Sequence, residues 1–230
     1  MKIRVKFAKT GAMKFIGHLD TMRFFQKLIR LSGIDIRYSE GFSPHQIMSF
    51  ALPLGVGVES VGEYMDIEVH STFSSEEALE RLNRNMPEGL LALSYRRLPD
   101  DAKGAMSLVS LADYRITPEE AGFDKMEERI ETLFHQKESF IIRKKTKKSE
   151  REIDLKQYVR DFRWEENGFF LKLSAGSETN IKPELLLDPF LKSCGKAYHP
   201  AHFCVVRQEL YTGNEKDGYL SLESLGTPVL

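Results

Sequence analysis

Cysteine, tryptophan and long apolar runs are scarce in this chain of 230 residues, which has two cysteines and one tryptophan. Cys194 and Cys204 are too few and too close together for the disulfide framework of a small secreted protein. No apolar run approaches the roughly 20 residues that a membrane helix needs, and no charged-then-apolar leader opens the sequence. We therefore expect a cytoplasmic protein that has no membrane partner.

Net charge is also nearly absent, at −1, so no global field draws the chain toward nucleic acid or an anionic membrane. The charges are nevertheless unevenly distributed. Residues 1–50 carry nine Lys and Arg against three acidic residues, and residues 137–163 carry ten against five. Two separate positive regions indicate a localised anionic partner. The alternative is that these bases pair with acidic residues elsewhere in the chain.

Motifs for catalysis and for tight cofactor binding are missing. The sequence has no Walker loop, nucleophile elbow or His-Glu-x-x-His motif, and no Cys-x-x-x-Cys-x-x-Cys cluster that could hold an iron–sulfur centre. Four zinc-capable residues lie close together, but their spacing departs from the short knuckles of structural zinc sites. These are Cys194, His199, His202 and Cys204. We predict no cofactor and no metal, and the sequence favours a non-catalytic protein.

Hydrophobic periodicity predicts the order strand, helix, strand, strand, helix, strand, and then the same order again. In residues 2–7 apolar and basic residues alternate, as in a half-buried strand. A helix follows and ends at Ser32 and Gly33, and Ser75 is the expected N-cap of the next helix. The predicted fold class is α+β, with two tandem ferredoxin-like (split βαβ) domains that have antiparallel sheets. The predicted boundaries are 1–99 for the first domain, 100–111 for a linker, 112–213 for the second domain and 214–230 for a tail.

The basic face of the first strand, formed by Lys2, Arg4 and Lys6, suggests RNA binding on the sheet surface. In a ferredoxin-like sheet, however, this strand neighbours the third strand, whose outward residues are Tyr64, Asp66 and Glu68. Alternating bases beside alternating acids favour cross-strand ion pairs. We therefore expect the binding site elsewhere.

Basic residues on the first helix form a better candidate site. Arg23, Lys27 and Arg30 recur at i, i+4 and i+7 and so share one helix face. Such a stripe can follow phosphates, although a solvated helix face has the same pattern. Lys14, His18 and Arg37 flank this stripe. The N-terminus of the helix near His18 adds partial positive charge.

The segment 37–45 combines the side chains of a polyanion site with a constrained backbone. Gly41 is expected to adopt a conformation closed to other residues, and Pro44 stiffens the chain after it. Tyr38 and Phe42 can stack on unpaired bases, although Phe42 could equally pack on its own domain. Ser39, Ser43 and His45 supply donors for phosphate, and Arg37 can engage a base or a strand end. A second basic run, residues 143–148, predicts a hairpin tip that could add an unspecific contact.

Residues 2–69, with the motifs GHLD, YSEGFSPH and ALPLGVGVES, resemble the bacterial radical-SAM-associated domain of unknown function. Members of that family occur as separate chains or fused behind a radical-SAM enzyme, so the resemblance implies such an enzyme as partner. Duplicated ferredoxin-like halves are also similar in architecture to the CRISPR repeat-processing endoribonucleases, and architecture alone does not carry function.

Three hypotheses follow. The first is an RNA-binding accessory module that presents tRNA or rRNA, and not DNA, to a radical-SAM modifying enzyme. The second is a metal-independent endoribonuclease with His18 or His45 as general base. The third is a purely protein-binding subunit that docks through the apolar stretch 47–58. The predicted RNA- or anion-binding residues are Lys14, His18, Arg23, Lys27, Arg30, Arg37, Tyr38, Ser39, Phe42 and His45.

Overall fold

The computed structural model describes residues 1–145 and 150–230, which form two compact units. One unit combines Met1–Ser110 with Arg207–Leu230, and the other is Leu111–Val206. The helices are α1 (His18–Leu31), α2 (Ser75–Arg84), α3 (Ala105–Leu108), α4 (Met126–Ile130) and α5 (Pro183–Ser193). The strands are β1 (Lys2–Lys9), β2 (Met48–Phe50), β3 (Glu59–Glu68), β4 (Leu90–Leu98), β5 (Leu111–Pro118), β6 (Ile141–Lys145), β7 (Glu150–Asp154), β8 (Val159–Glu165), β9 (Gly168–Ser174), β10 (Phe203–Asn214), β11 (Gly218–Ser221) and β12 (Thr227–Pro228).

The first unit is built on an antiparallel sheet with β1 between β3 and β4. Val5 lies opposite Met65 on one side and Tyr95 on the other. The short strand β2 pairs with β3, β12 pairs with β4, and β11 pairs with β10. The predicted tail, residues 214–230, therefore contributes two strands to this unit.

Helices α1 and α2 pack on one face of this sheet. Phe25, Leu28 and Ile29 of α1 are buried with the apolar residues of β1, and each such side chain contributes about 1.5–3 kcal/mol of hydrophobic free energy. Gly33 follows α1 with a φ of +70°, the left-handed conformation that the sequence predicts. The N-cap of α2 is Ser74 rather than Ser75: Ser74 accepts a hydrogen bond from the Glu77 amide, whereas the Ser75 hydroxyl donates to the Tyr95 carbonyl.

The opposite face of the sheet carries the basic residues of β1, and only Arg4 has the cross-strand carboxylate that the sequence predicts. Lys2 Nζ donates to the Ala102 carbonyl. Arg4 is only 2% exposed, and its Nε and Nη2 lie 2.7 Å and 2.9 Å from the two carboxylate oxygens of Asp66. Lys6 instead contacts Glu209 at 2.8 Å and Glu223 at 3.1 Å. Burial alone would lower the pKa of Lys6, but these two carboxylates outweigh it and raise that pKa. Arg4 and Lys6 are therefore already neutralised by carboxylates and are poorly placed to bind a polyanion.

In the second unit, β5, β9 and β8 form an antiparallel sheet, and β6 and β7 form a separate antiparallel pair. Helix α4 is short and gives way to a π-helical turn over Glu131–His135. Pro183 opens α5, as its fixed φ allows. Of the basic run 143–148, residues 146–148 lie outside the described residues.

The whole is an α+β protein with mostly antiparallel strands. The tandem ferredoxin-like arrangement and its boundaries stay predictions. No helix within residues 1–145 and 150–230 is both long and apolar enough to cross a membrane.

Candidate functional site

The predicted site loop lies between α1 and β2, and its two ends are held together by backbone hydrogen bonds. The Arg37 amide donates to the Glu68 carbonyl over 2.8 Å, and the Ile47 amide donates to the Arg37 carbonyl over 2.9 Å. Tyr38 and Gln46 form a β-bridge one step further along. The chain therefore leaves and rejoins the sheet edge at neighbouring points, and the residues between them form a hairpin-like loop.

Ser39 and His45 close this loop through three contacts. The Ser39 amide donates to the His45 carbonyl over 2.8 Å, and the His45 amide donates to Ser39 Oγ over 3.1 Å. Ser39 Oγ also lies 2.9 Å from Nδ1 of the His45 ring. Because Nδ1 has this partner, Nε2 is the ring nitrogen that a ligand can reach. The predicted donors at these positions are thus also structural residues of the loop.

The tip of the loop presents its aromatic side chain to solvent. Gly41 has a φ of +106°, which L side chains rarely adopt, as predicted. The Phe42 side chain is fully exposed, at 112% of the reference area, and Tyr38 is 45% exposed. Packing of Phe42 against its own domain, the alternative that the sequence left open, does not occur. The fold gains no hydrophobic stabilisation from this ring.

The basic stripe of α1 is exposed and is connected to the loop. Gln46 Nε2 donates to the Gln26 carbonyl of α1 over 3.1 Å, which fixes the loop base beside the helix. Arg23 pairs with Asp20 at 3.1 Å, but such an exposed pair contributes only about 0–1 kcal/mol and is readily exchanged. Lys27 and Arg30 are exposed and have no carboxylate within 4.0 Å in the part of the chain that the structure describes.

Three other predicted residues already have partners. Lys14 lies 3.3 Å from Glu59, and Arg37 Nη1 lies 2.8 Å from Glu68 Oε2. The His18 ring packs edge-on against Phe50, with 5.4 Å between the ring centroids. Lys14 and His18 thus contact β3 and β2, respectively, and lie apart from the loop. The basic stripe of α1 is joined to the loop through Gln46. Whether the ten predicted residues bind RNA stays a prediction.

A narrow cleft beside His18 contains charged residues that the sequence analysis does not single out. Lys9 and Glu63 line it, and Arg207 is paired with Glu63. One signal for Lys9 is present in the sequence. Lys9 follows Ile3, Val5 and Phe7 at an odd position of β1, which is the core-facing position of that strand. Arg207 has no comparable signal because it lies 144 residues from Glu63.

The zinc-capable residues do not form a cluster. His202 Nδ1 lies 3.2 Å from Glu120 Oε1, and neither cysteine is in a disulfide. Within the described ranges no group of three or more His, Cys, Asp and Glu side chains is placed to hold a metal ion.

Comparison with known families shows a match to a family of uncharacterized proteins conserved in bacteria (DUF2344), over residues 2–183. This span is more than three quarters of the chain and includes α1, the loop and the cleft residues Lys9 and Glu63. The chain belongs to this family. No curated protein matches it.

Proposed function

We propose that this protein binds a structured RNA, a tRNA or an rRNA, and presents it to a modifying enzyme. The observation that carries the proposal is the fully exposed Phe42 ring at the tip of a loop whose base is closed by Ser39 and His45. An aromatic ring that is held outward in this way is available for stacking.

Stacking explains why the loop is both exposed and constrained. A base stacked on an aromatic side chain contributes about 1–3 kcal/mol, and a loop whose base is closed by hydrogen bonds loses less backbone freedom on binding than an open one. Tyr38 is half-exposed at the base of the same loop and offers a second ring with a polar end. One unpaired nucleotide at Phe42 and a neighbour at Tyr38 is the arrangement that we propose.

Exposed cations on α1 supply the contact to phosphates. Lys27 and Arg30 are exposed on the helix that Gln46 joins to the loop, and Arg23 is held only by a weak surface pair. Neutralising a few phosphates releases counterions, so affinity should fall steeply with salt. A local cluster of this kind can attract phosphates although the net charge of the protein is only −1, because phosphate binding depends on how the charges are distributed over the surface.

The radical-SAM enzyme proposed as partner follows from the resemblance of residues 2–69. A specific observation supports a protein-docking surface in the same unit. Phe15, Leu19 and Val56 are all more than 60% exposed, and the Gly57 amide donates to the Lys14 carbonyl, which joins the turns that carry Phe15 and Val56. Exposed apolar side chains on adjoining turns are typical of interaction sites. A purely protein-binding subunit is the second candidate function.

The endoribonuclease alternative has less support. The His18 ring packs against Phe50, and Nδ1 of His45 is engaged by Ser39. A general base needs reach to a substrate hydroxyl, together with an acid on the other side of the phosphate.

Titration of labelled tRNA and rRNA fragments with the full chain tests the RNA proposal. We expect Phe42→Ala to weaken binding by about tenfold or more, and Lys27→Ala with Arg30→Ala to weaken binding and flatten its salt dependence. Phe15→Ala and Arg84→Ala are matched controls, since they remove an exposed ring and an exposed cation elsewhere. Unchanged affinity in Phe42→Ala, or no binding by the wild type at low salt, contradicts the proposal.

Capture of the partner enzyme distinguishes the two candidates. If the docking surface serves the RNA-presenting role, Phe15→Glu abolishes co-purification with a radical-SAM enzyme and leaves RNA binding intact. Co-purification without any RNA binding favours the purely protein-binding function instead.

A further inference from the structure

A second feature of the first unit is the narrow cleft between the end of β1, the start of α1 and the segment after β2. Its walls are largely apolar, with Phe7, Phe50 and Leu52 among them, and it has room for a water-sized group. Two ionisable side chains and the His18 ring also line it: Lys9 from β1 and Glu63 from β3. Charged groups in an apolar cleft need a physical explanation because their desolvation is costly.

Lys9 has few partners for a buried cation. It is 2% exposed, and within the described residues its Nζ has one hydrogen-bond acceptor, the Ile16 carbonyl at 2.5 Å. An ammonium group carries three donors. A single neutral acceptor leaves two donors and a full charge without a dedicated partner.

Glu63 does not balance the charge of Lys9, because Arg207 already occupies it. Arg207 Nε and Nη2 lie 2.7 Å and 2.6 Å from the two carboxylate oxygens of Glu63. The buried cluster thus holds two cations and one anion. Burial lowers the pKa of Lys9, Glu63 acts against this, and Arg207 acts in the same direction as burial.

The position of His18 adds to the positive character of the cleft. His18 is the first residue of α1, a helix of 14 residues, and the N-terminal end of a helix carries partial positive charge. Phe50 fixes the imidazole ring by an edge-on contact. A buried ammonium, an imidazole and a helix start therefore lie around a cleft whose carboxylate, Glu63, is already paired with Arg207.

We propose that this cleft is a phosphate site, in which Lys9 Nζ and His18 hold one oxygen of a phosphate monoester or of inorganic phosphate. The size of the cleft admits one oxygen, and the rest of the phosphate lies at the mouth. The bound anion supplies the missing negative charge beside Lys9 and accepts its remaining donors. This inference rests on Lys9 and the cleft and is independent of stacking at Phe42.

Calorimetric titration of the full chain with inorganic phosphate, uridine 5′-monophosphate and uridine tests the site and separates its two sources. We expect phosphate or the monophosphate to bind and uridine not to bind. Tighter binding of the monophosphate identifies a nucleotide end, and tighter binding of inorganic phosphate identifies the free ion. Lys9→Met is expected to weaken binding at least tenfold, whereas Lys2→Met, which removes a lysine of the same strand whose Nζ donates to the Ala102 carbonyl, leaves it unchanged.

Several outcomes overturn the site: no binding of either phosphate compound, equal binding by Lys9→Met and wild type, or equal affinity for acetate. If Lys9→Met does not fold, the thermal midpoint of the wild type decides. At constant ionic strength, the thermal midpoint should rise more in phosphate than in chloride. An equal rise in the two salts overturns the proposal. RNA that carries a 5′-hydroxyl should still bind Lys9→Met through the loop, so failure here is distinct from failure of the RNA proposal.

Discussion

Glu63 and Arg207 lie 144 residues apart in the sequence and form a buried ion pair that is closed by two hydrogen bonds. Their side chains are 5% and 2% exposed. Arg207 Nη2 also donates to the Leu52 carbonyl over 2.9 Å, so this one side chain connects β3 with the segment after β2. The contact helps to explain why Arg207–Leu230 belongs to the same compact unit as Met1–Ser110.

Removal of the negative charge from this pair should be strongly destabilising. We expect Glu63→Gln to lower the free energy of unfolding by about 3–5 kcal/mol, because the buried Arg207 then loses the carboxylate that binds two of its nitrogens. Glu80→Gln is the matched control. Its pair with Arg84 is more than 60% exposed on both sides, and its loss should cost about 0–1 kcal/mol. Urea denaturation measures both, and similar small losses in the two variants contradict the assignment.

The close approach of β3 to β10 depends on a glycine. A Cβ atom at Gly62 would lie 2.3 Å from the Gln208 carbonyl oxygen and 2.8 Å from its carbonyl carbon. Backbone atoms cannot move aside as a flexible side chain can. We therefore expect Gly62→Ala to destabilise the protein by about 1–3 kcal/mol, as overpacking does.

Gly55→Ala is the control for this prediction, because the added Cβ meets only Val58 Cγ2 at 3.6 Å, an ordinary contact. Its stability should be unchanged or slightly higher, since alanine restricts the unfolded chain. Thermal unfolding of the two variants gives the comparison. Equal thermal midpoints for Gly62→Ala and Gly55→Ala would show that β3 and β10 can move apart without loss of stability.

Local patterns predict the elements of the first unit well, because short-range physics decides them. The strand over residues 2–7 and the helix that ends at Ser32 and Gly33 both agree with the structure. The predicted N-cap of α2 is wrong by one residue. Ser74 and Ser75 have the same capping chemistry, and only the contact of Ser75 with Tyr95 in the folded protein shows which of them caps the helix.

Long-range contacts explain what the sequence does not predict. The partners of Lys6 are Glu209 and Glu223, more than 200 residues away, and no local pattern connects them. In the candidate site, the positive φ of Gly41 is predictable from residue type, whereas the closure of the loop by Ser39 and His45 is not. A hydroxyl and an imidazole six residues apart can face each other or solvent equally well.

The closure of the loop gives a prediction of its own. Ser39→Ala removes the oxygen that accepts from the His45 amide and contacts the His45 ring, so the loop should lose order. RNA affinity should fall severalfold although Phe42 is unchanged, because ordering the ring then costs conformational entropy on binding. Global stability should change by less than about 1 kcal/mol, since the site is exposed. Ser71→Ala, which removes an exposed hydroxyl that donates to Asp35 outside the loop, is the control, and an equal effect in both variants contradicts the role of Ser39.

The ionisation of Tyr64 should make the stability of the protein depend on pH in the alkaline range. Its ring is buried, and its hydroxyl donates to Glu209 Oε1. Burial and the Glu209 carboxylate both raise the pKa of Tyr64 far above its usual value of about 10. Above about pH 10 the unfolded chain loses this proton and the folded chain keeps it. The unfolded state then binds fewer protons, so the free energy of unfolding falls by up to about 1.4 kcal/mol per pH unit from this group.

Tyr64→Phe should therefore be less stable than wild type at neutral pH, by about 1–3 kcal/mol, because Glu209 loses a buried donor. The gap should narrow as the pH rises above about 10, since the variant lacks the group whose ionisation opposes folding. Urea unfolding from about pH 8 to about pH 11 measures the gap. Tyr38→Phe, at a half-exposed ring of the loop, should run parallel to wild type over the same range. A gap for Tyr64→Phe that stays constant through about pH 11 would show that the folded protein ionises Tyr64 as readily as the unfolded chain does.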